Sequence, residues 1–454
     1  MHLLLVLLLP TSNVLAGTKQ VNGSNWMSAV DENTPINEIT LPGAHDAASF
    51  RLNGEAFTNL YGITQDSPIG SVSWKWAGKT YTDIGLLEMG ARYFDIRYGI
   101  YDEPEKTSGF RNEQEKASSQ LLTVHHSFDC VYRYDEGFLG VDLHKKVTNE
   151  VLMKWVKTFL DKHPSETVIF DISTDEADTF KDEAARELFS IFYKEQVEHP
   201  DLDHYPEIYV GDHIPTLKEA KGKLVILTDN PDLRYEYAWE DDPEKKERWF
   251  FYSPYATANE TDKTYTNSYR SNSYNKKDYR NYSVFKQNKY EKFSWTDGSN
   301  EKLLYIQNTL NQTKELIEKE KNKQFNAIML NYTSANNITD ADIFGNPWEF
   351  AEDINPKVLS FFKSAKPLSG PYGYIAMDWM TPELAKAIYS VNIDQNEYSI
   401  TNVGLSVSSQ NKYSVIIEII FILLLLIIGT IIVIKKVKSK KTNNKKNNKK
   451  KKKK

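Results

Sequence analysis

The sequence predicts an α/β protein, an irregular (β/α)8 TIM barrel followed by one C-terminal transmembrane helix. Short apolar runs alternate with helix-period segments, which argues for a parallel sheet with helices outside it. About eight such runs occur, the strand number of a closed (β/α) barrel. A 20-residue apolar run near the C-terminus supplies the expected membrane span.

The elements follow in chain order. Residues 3–9 read Leu-Leu-Leu-Val-Leu-Leu-Leu, and Val14-Leu15-Ala16 precedes Gly17, so residues 1–16 are expected to form a secretory signal peptide, with His2 a weak substitute for a basic start. The barrel domain is expected over residues 25–393. Its strands are expected at 38–41, 92–98, 121–125, 167–172, 207–210, 224–227, 326–330 and 374–377. Helices are expected at 143–162, 176–196, 301–320, 348–365 and 382–390. Residues 235–300 differ in composition, with 10 of the 27 tyrosines set among Asn, Lys and Ser. They read equally well as rim loops whose aromatics meet lipid or sugar and as a low-complexity insertion. Residues 394–414 are polar and read as a flexible tether, with an r.m.s. reach of roughly 25 Å.

Residues 415–434 are apolar except for Glu418, Gly429 and Thr430. At about 1.5 Å per residue they span about 30 Å, the hydrocarbon thickness. Lys435 and Lys436 follow directly, which places the Lys-rich tail 435–454 in the cytosol. The expectation is a single-pass type I membrane protein with its large domain lumenal or extracellular. Six Asn-x-Ser/Thr sequons, at Asn22, Asn259, Asn281, Asn311, Asn331 and Asn337, all fall on that side and predict a glycoprotein.

Charge agrees with this division. The net charge of -6 hides two opposite parts: the tail's 13 Lys leave 43 basic against 62 acidic residues in 1–434, about -19. An acidic body excludes a nucleic-acid-binding one. Hydrophobic content of 40% and aromatic content of 13% exclude a mainly disordered chain. One cysteine, Cys130, excludes an intrachain disulfide framework and a thiolate zinc cluster. Oligomeric state is left open.

Four segments place polar residues where apolar runs stop: Leu41-Pro42-Gly43-Ala44-His45-Asp46, Arg92-Tyr93-Phe94-Asp95-Ile96-Arg97, Thr123-Val124-His125-His126-Ser127 and Tyr374-Ile375-Ala376-Met377-Asp378. The C-terminal ends of parallel barrel strands converge on one face, where barrel active sites lie. Two His, an Arg and several Asp on that face suit phosphodiester cleavage without a metal. One neutral imidazole takes a proton, one protonated imidazole gives one, and a guanidinium neutralises phosphoryl charge. Taken singly, each group has a plainer explanation: Asp46 as a helix cap before Ala47-Ala48-Ser49, Asp95 and Arg97 as an internal salt bridge, either His as a loop residue.

LPGAHDAASF, then GARYFDIRYG, then a VHHS segment and HPSETVIFDIS resemble the X-domain of phosphatidylinositol-specific phospholipase C, in its metal-independent, bacterial-type branch. The resemblance covers roughly residues 25–230 and resumes at FNAIML and YGYIAMDWM. It implies an irregular TIM barrel. It also implies His45 as general base, Asp46 as its neighbouring carboxylate, Arg97 as the phosphate-binding arginine, His126 as general acid, and Asp378 as the carboxylate that orients His45. The implied reaction is attack of the inositol 2-hydroxyl on phosphorus, releasing diacylglycerol and a 1,2-cyclic phosphate. Calcium-dependent relatives carry an acid where Arg97 stands, so no metal and no cofactor are expected. Ser127 replaces the family's Gly after the second His, which leaves His125 and His126 in competition. Ser173 stands where bacterial enzymes carry a lysine near the inositol; Asp95, Asp171 and Ser173 are the substrate-binding candidates. The alternative is a catalytically inactive lipid- or glycan-binding cell-surface module on the same barrel. An adhesion protein is weaker still.

Overall fold

The computed structural model describes residues 18–52, 63–76, 79–101, 120–125, 128–136, 142–174, 205–209, 213–228, 251–252, 269–270, 283–289, 293, 297–320, 327–336 and 347–402. The chain divides into two units, Met1–Leu405 and Ser406–Lys454. The second lies wholly outside the described residues, as do the expected signal peptide (1–16), helix 176–196, membrane span and Lys-rich tail. Among the described residues no helix is long and apolar enough to cross a membrane.

The strands, in chain order, are β1 (Lys19–Val21), β2 (Leu41–Ala44), β3 (Val72–Trp76), β4 (Lys79–Asp83), β5 (Tyr93–Tyr101), β6 (Gln120–His125), β7 (Phe128–Asp129), β8 (Val131–Glu136), β9 (Asp142–Lys146), β10 (Val168–Thr174), β11 (Leu224–Thr228), β12 (Phe251–Tyr252), β13 (Tyr269–Arg270), β14 (Ser283–Gln287), β15 (Ala327–Tyr332), β16 (Tyr374–Met377) and β17 (Tyr398–Ile400). The main sheet runs β12-β11-β10-β5-β2-β16-β15-β14-β13. Along this path all neighbours pair in parallel except β13, which is antiparallel to β14; β6 and β7 join off it, antiparallel. Helices Asn149–Lys162, Gly298–Glu320, Pro347–Ser364 and Pro382–Tyr389 accompany the strands. This is the α/β, TIM-like architecture the sequence predicts.

Alternation along each strand separates two cores, because successive side chains point to opposite sheet faces. On β5, Phe94, Ile96 and Tyr98 pack with Leu152, Val156 and Phe159 of the flanking helix. Tyr93 packs instead with Leu41, Ile169, Ile328, Tyr332 and Tyr374 inside the curled sheet. Period two therefore sends Asp95 and Arg97 to the same inner side as Tyr93. The same holds on β10, where Phe170 and Ile172 face the helices and Ile169, Asp171 and Ser173 face inward.

Several boundaries depart from expectation for local reasons. The strand expected at 38–41 forms three residues later as β2, because Ile36–Glu38 closes a 3-10 turn. The run at 121–125 is not a barrel wall: β6 folds back antiparallel on β5. Around 207–210 only a bridge forms, Ile208 to Leu224. The helix expected from 143 starts at Asn149, since β9 takes the preceding residues and Thr148 caps the turn by accepting from the Val151 amide at 3.3 Å. Within the Tyr-rich segment, β14 is a full parallel neighbour of β15. Part of the expected tether also forms structure, since β17 pairs in parallel with β1. One sequon is closed off: Asn331 is buried, donating to the Ile306 carbonyl at 3.0 Å and accepting from the Gln287 side-chain amide at 3.0 Å. A glycan on it is incompatible with this packing.

At the N-terminal ends of β5 and β10, Arg92 and Glu166 form a buried ion pair with N–O distances of 3.0 and 2.6 Å. Arg92 also donates to the carbonyls of Leu87, Ala91 and Gly23, and lies over the Phe159 ring at 4.7 Å. The Met27 amide donates to Glu166 at 3.3 Å. The bridge ties the N-terminal segment to the base of the sheet. Glu166→Ala leaves a buried guanidinium uncompensated. We expect it to reduce unfolding free energy by about 3–5 kcal/mol in a denaturant titration. A change of about 0.5 kcal/mol, as for a surface residue, would contradict this role.

Candidate active site

The site grows from three strand ends. Register pairs Met377 of β16 with Ala44 of β2, so the residues that follow, Asp378 and His45, lie side by side. Gly43 allows this close approach: a Cβ there would lie 2.7 Å from the Tyr93 side chain. Both strand ends then turn sharply. Asp46 and Trp379 take left-handed backbone conformations (φ 41° and 47°), which side-chain-bearing residues adopt sparingly and mainly at functional turns. Asp46 is thus a turn residue and not the helix cap its context allowed.

Residues 64 and 65 hold these turns. The Gln65 side-chain amide donates to the His45 carbonyl (2.8 Å) and the Met377 carbonyl (2.9 Å), bridging the two strand ends. The Thr64 hydroxyl lies 3.2 Å from the carbonyls of both His45 and Asp46, and the Trp379 amide donates to the Thr64 carbonyl at 2.7 Å. From the other side, the Asn355 side chain donates to the Asp378 carbonyl at 2.9 Å. Neither Thr64 nor Gln65 lies in a motif, so no sequence signal marked them.

His45 is buried, with Nδ1 2.8 Å from Asp378 Oδ1. Its Nε2 lies 3.1 Å from an Arg97 guanidinium nitrogen. A guanidinium has only donors, so Nε2 accepts, and the ring proton sits on Nδ1 facing Asp378. That tautomer leaves Nε2 as the basic nitrogen, held in place by the carboxylate behind it.

Asp46 is the hub. Its Oδ2 lies 3.4 Å from His45 Nε2 and 2.8 Å from His125 Nε2, while its Oδ1 pairs with Arg97 Nε. The sequence left His125 and His126 in competition, with His126 preferred. His126 lies outside the described residues, and His125 is the imidazole placed against Asp46. The antiparallel return of β6 along β5 brings it there, a turn that no strand-end pattern shows. Asp95 sits 3.9 Å from both His45 Nε2 and an Arg97 nitrogen.

Deeper in the sheet, Asp171 Oδ2 accepts from the Tyr93 hydroxyl at 2.6 Å, and that hydroxyl lies 2.7 Å from the Tyr332 hydroxyl. The Tyr332 ring meets the His45 ring edge to face at 5.7 Å. Lys286 of β14 places Nζ 3.9 Å from Asp171 Oδ2 and 5.0 Å over the Tyr332 ring. Ser173 pairs in register with Arg97 and is half-buried.

Burial disfavours every charge here, and the neighbours decide which prevail. For Asp46, burial is outweighed by Arg97, His45 and His125, which hold its carboxyl well below the usual range. For His45, burial pulls down, but Asp46 and Asp378 pull harder, so it titrates above an ordinary histidine. Burial raises Asp378, and His45 offsets this only in part. Burial likewise raises Asp95 against the pull of Arg97.

The donor atoms of His45, Asp46 and Asp95 lie within 4.8 Å of one another, close enough to share a metal ion by distance alone. The Arg97 guanidinium occupies the same neighbourhood, against Asp46 and His45, and a divalent ion there faces its positive charge.

No family model matches the chain. Curated relatives do. A 1-phosphatidylinositol phosphodiesterase of Staphylococcus aureus (strain Newman) is 28% identical over 205 residues, 45% of this chain and 50% of the relative. One from Listeria monocytogenes is 24% identical over 212 residues, 46% of this chain and 50% of the relative. The chain thus spans about half the length of the curated relatives it matches. Among solved structures, a double mutant of the S. aureus phosphatidylinositol-specific phospholipase C superposes with a TM-score of 0.53. That match is 18% identical and covers 82% of this chain and 98% of the other, a likeness of fold. The fold is that of an α/β, TIM-like barrel, with a cluster of His, Arg and Asp at its strand ends. Over nearly half of its length the chain is similar to bacterial 1-phosphatidylinositol phosphodiesterases.

In an NMR titration, His45 is expected to deprotonate above the ordinary histidine value of about 6.5. Asp378→Asn removes one of the two carboxylates that raise it, so the midpoint should fall. A midpoint at or below the ordinary value, or one unmoved by Asp378→Asn, would show that Asp378 does not bear on the ring.

Proposed function

We propose that this protein cleaves phosphatidylinositol-type lipids as a phospholipase-C-like phosphodiesterase, through His/His general acid–base catalysis without a metal ion. The observation that supports it best is the shared carboxylate. His45 and His125 both present Nε2 to Asp46 Oδ2, and Arg97 pairs with the other oxygen. One acid, one base and one fixed cation around a single point are what in-line displacement at a phosphodiester requires.

In this scheme the substrate phosphate lies against Arg97. Neutral His45 Nε2 removes the proton from the headgroup hydroxyl beside the phosphoester, and that oxygen bonds to phosphorus. Protonated His125 donates its Nε2 proton to the glycerol oxygen as its bond to phosphorus breaks. Diacylglycerol leaves, and a 1,2-cyclic inositol phosphate remains. Nucleophile and phosphorus belong to one headgroup, so positioning contributes much of the rate. Asp46, kept anionic, holds His125 Nε2 at 2.8 Å, and Asp378 fixes the His45 tautomer. Arg97 supplies the positive charge that a metal ion would otherwise bring. The bacterial relatives named as phosphatidylinositol phosphodiesterases support the substrate class.

The membrane placement is likewise proposed, from sequence: a signal peptide at 1–16, a span at 415–434, and a type I orientation with the barrel lumenal or extracellular. Protease protection of the Lys-rich tail in sealed membranes, with the barrel accessible outside, is the expected result. The reverse pattern would overturn the orientation.

Full-length protein in mixed micelles should cleave phosphatidylinositol, with the rate unchanged by EDTA. His45→Ala and His125→Ala should each lower it by at least about 100-fold. The rate should rise with pH through a midpoint above about 6.5, because the base must lose a proton whose affinity is raised. Loss of activity in EDTA would overturn the metal-free scheme. Full activity in His125→Ala with loss in His126→Ala would move the acid to His126. A folded wild-type protein that binds the lipid without cleaving it would favour the inactive binding module.

A further inference from the structure

The proposed base and the carboxylate behind it stand on two different strand ends, and the sheet stops short of fixing their spacing. In a parallel ladder a residue donates to the strand beside it and then accepts from that strand two residues further on. The His45 amide makes the first bond, to the Met377 carbonyl at 3.1 Å. The second would run from the Trp379 amide to the His45 carbonyl. Both chains have by then entered the left-handed turns at Asp46 and Trp379, and that rung is missing. The Trp379 amide donates instead to the Thr64 carbonyl at 2.7 Å, and the His45 carbonyl accepts from the Gln65 side chain at 2.8 Å.

Residues 64 and 65 therefore stand in for the rung that would pair His45 with Asp378. Gln65 is fully buried, and its side-chain nitrogen also donates to the Met377 carbonyl at 2.9 Å. Carbonyl oxygens only accept, which fixes the orientation of the amide, and a primary amide nitrogen carries the two protons that two carbonyls need. Thr64 braces the same turn: its hydroxyl lies 3.2 Å from the carbonyls of His45 and Asp46, and 2.5 Å from the Ser49 hydroxyl. Gln65 bonds backbone oxygens alone among the described residues, so it acts on the chemistry through His45 and Asp378.

We propose that Gln65 is a positioning residue of the reaction, replacing the missing rung so that Asp378 holds the His45 ring at hydrogen-bond length. The contact it protects is the 2.8 Å one between His45 Nδ1 and Asp378 Oδ1. Methionine at this position keeps the length of the side chain and removes both donors, leaving two buried carbonyls against an apolar group. Arg97, against which the phosphate lies, stands on β5 and outside this clamp. The inference rests on the phosphodiesterase reading above and adds to it the residue that keeps the base in place.

The test compares wild type, Gln65→Met and Gln65→Glu as full-length protein. It follows kcat and KM for phosphatidylinositol in mixed micelles, the downfield proton resonance of the His45 Nδ1–H, and thermal melting. Gln65→Met should lower kcat by ~10- to 100-fold, the cost of a small misplacement of a catalytic group, with KM changed much less. The resonance should broaden or vanish as the bond to Asp378 loosens. A buried carboxyl facing two carbonyls stays protonated and keeps one donor, so Gln65→Glu should fall between the other two. If Gln65→Met only lowers the melting temperature, with kcat, KM and resonance unchanged, Gln65 is structural and the proposal fails. Equality of Gln65→Glu with wild type would also sink it, because one donor would then suffice. If Gln65→Met does not fold, Gln65→Glu and Thr64→Val carry the same comparison. If wild type cleaves no lipid, the phosphodiesterase reading fails, and the resonance in wild type and Gln65→Met still decides whether Gln65 holds the ring.

Discussion

Two imidazoles and a guanidinium converge on the Asp46 carboxylate, and the geometry around it follows from that demand. A carboxylate taken out of water is tolerated only where positive partners surround it. Arg97 supplies one here, and His45 and His125 both set Nε2 against the other oxygen. The left-handed turn at Asp46 carries the backbone around this cluster, Gly43 gives β2 room against Tyr93, and Gln65 binds the ends of β2 and β16 together. Removing the Asp46 charge would leave three cationic or potentially cationic groups facing one another with Asp95 and Asp378 as the remaining acids.

Much of this was legible in the sequence, for a definable reason. Strand-end residues are read from the break in an apolar run, and His45, Asp95, Arg97 and Asp378 all stand at such breaks or alternate out of them. Period two along 93–98 is enough to place Asp95 and Arg97 on the inner face. What was not legible depended on chain reversal or on partners distant in sequence. His125 reaches Asp46 because β6 turns back on β5, and local pattern cannot distinguish that return from another wall strand. Lys286 sits in a stretch whose Asn, Lys and Tyr content hides a five-residue strand. Thr64 and Gln65 act through backbone carbonyls and leave no motif. The sequon at Asn331 counted toward a glycoprotein because a sequon says nothing of burial, and β15 carries it into the core.

The base of the sheet is organised around a different pair. Arg92 and Glu166 bind the segment that follows β1, and β1 in turn pairs with β17. The His, Arg and Asp cluster lies at the C-terminal ends of the strands. Stability and chemistry are thus placed on opposite ends of the same eight parallel strands, the division of labour usual in barrels of this class.

The central claim is that the Asp46-centred cluster drives attack by the headgroup's own hydroxyl, with Arg97 in place of a metal. Phosphorus NMR of metal-stripped protein turning over phosphatidylinositol tests it most directly. The account predicts that a five-membered cyclic phosphodiester appears first. Formation of an acyclic inositol phosphate with no cyclic precursor, or no turnover until a divalent ion is added, would contradict it.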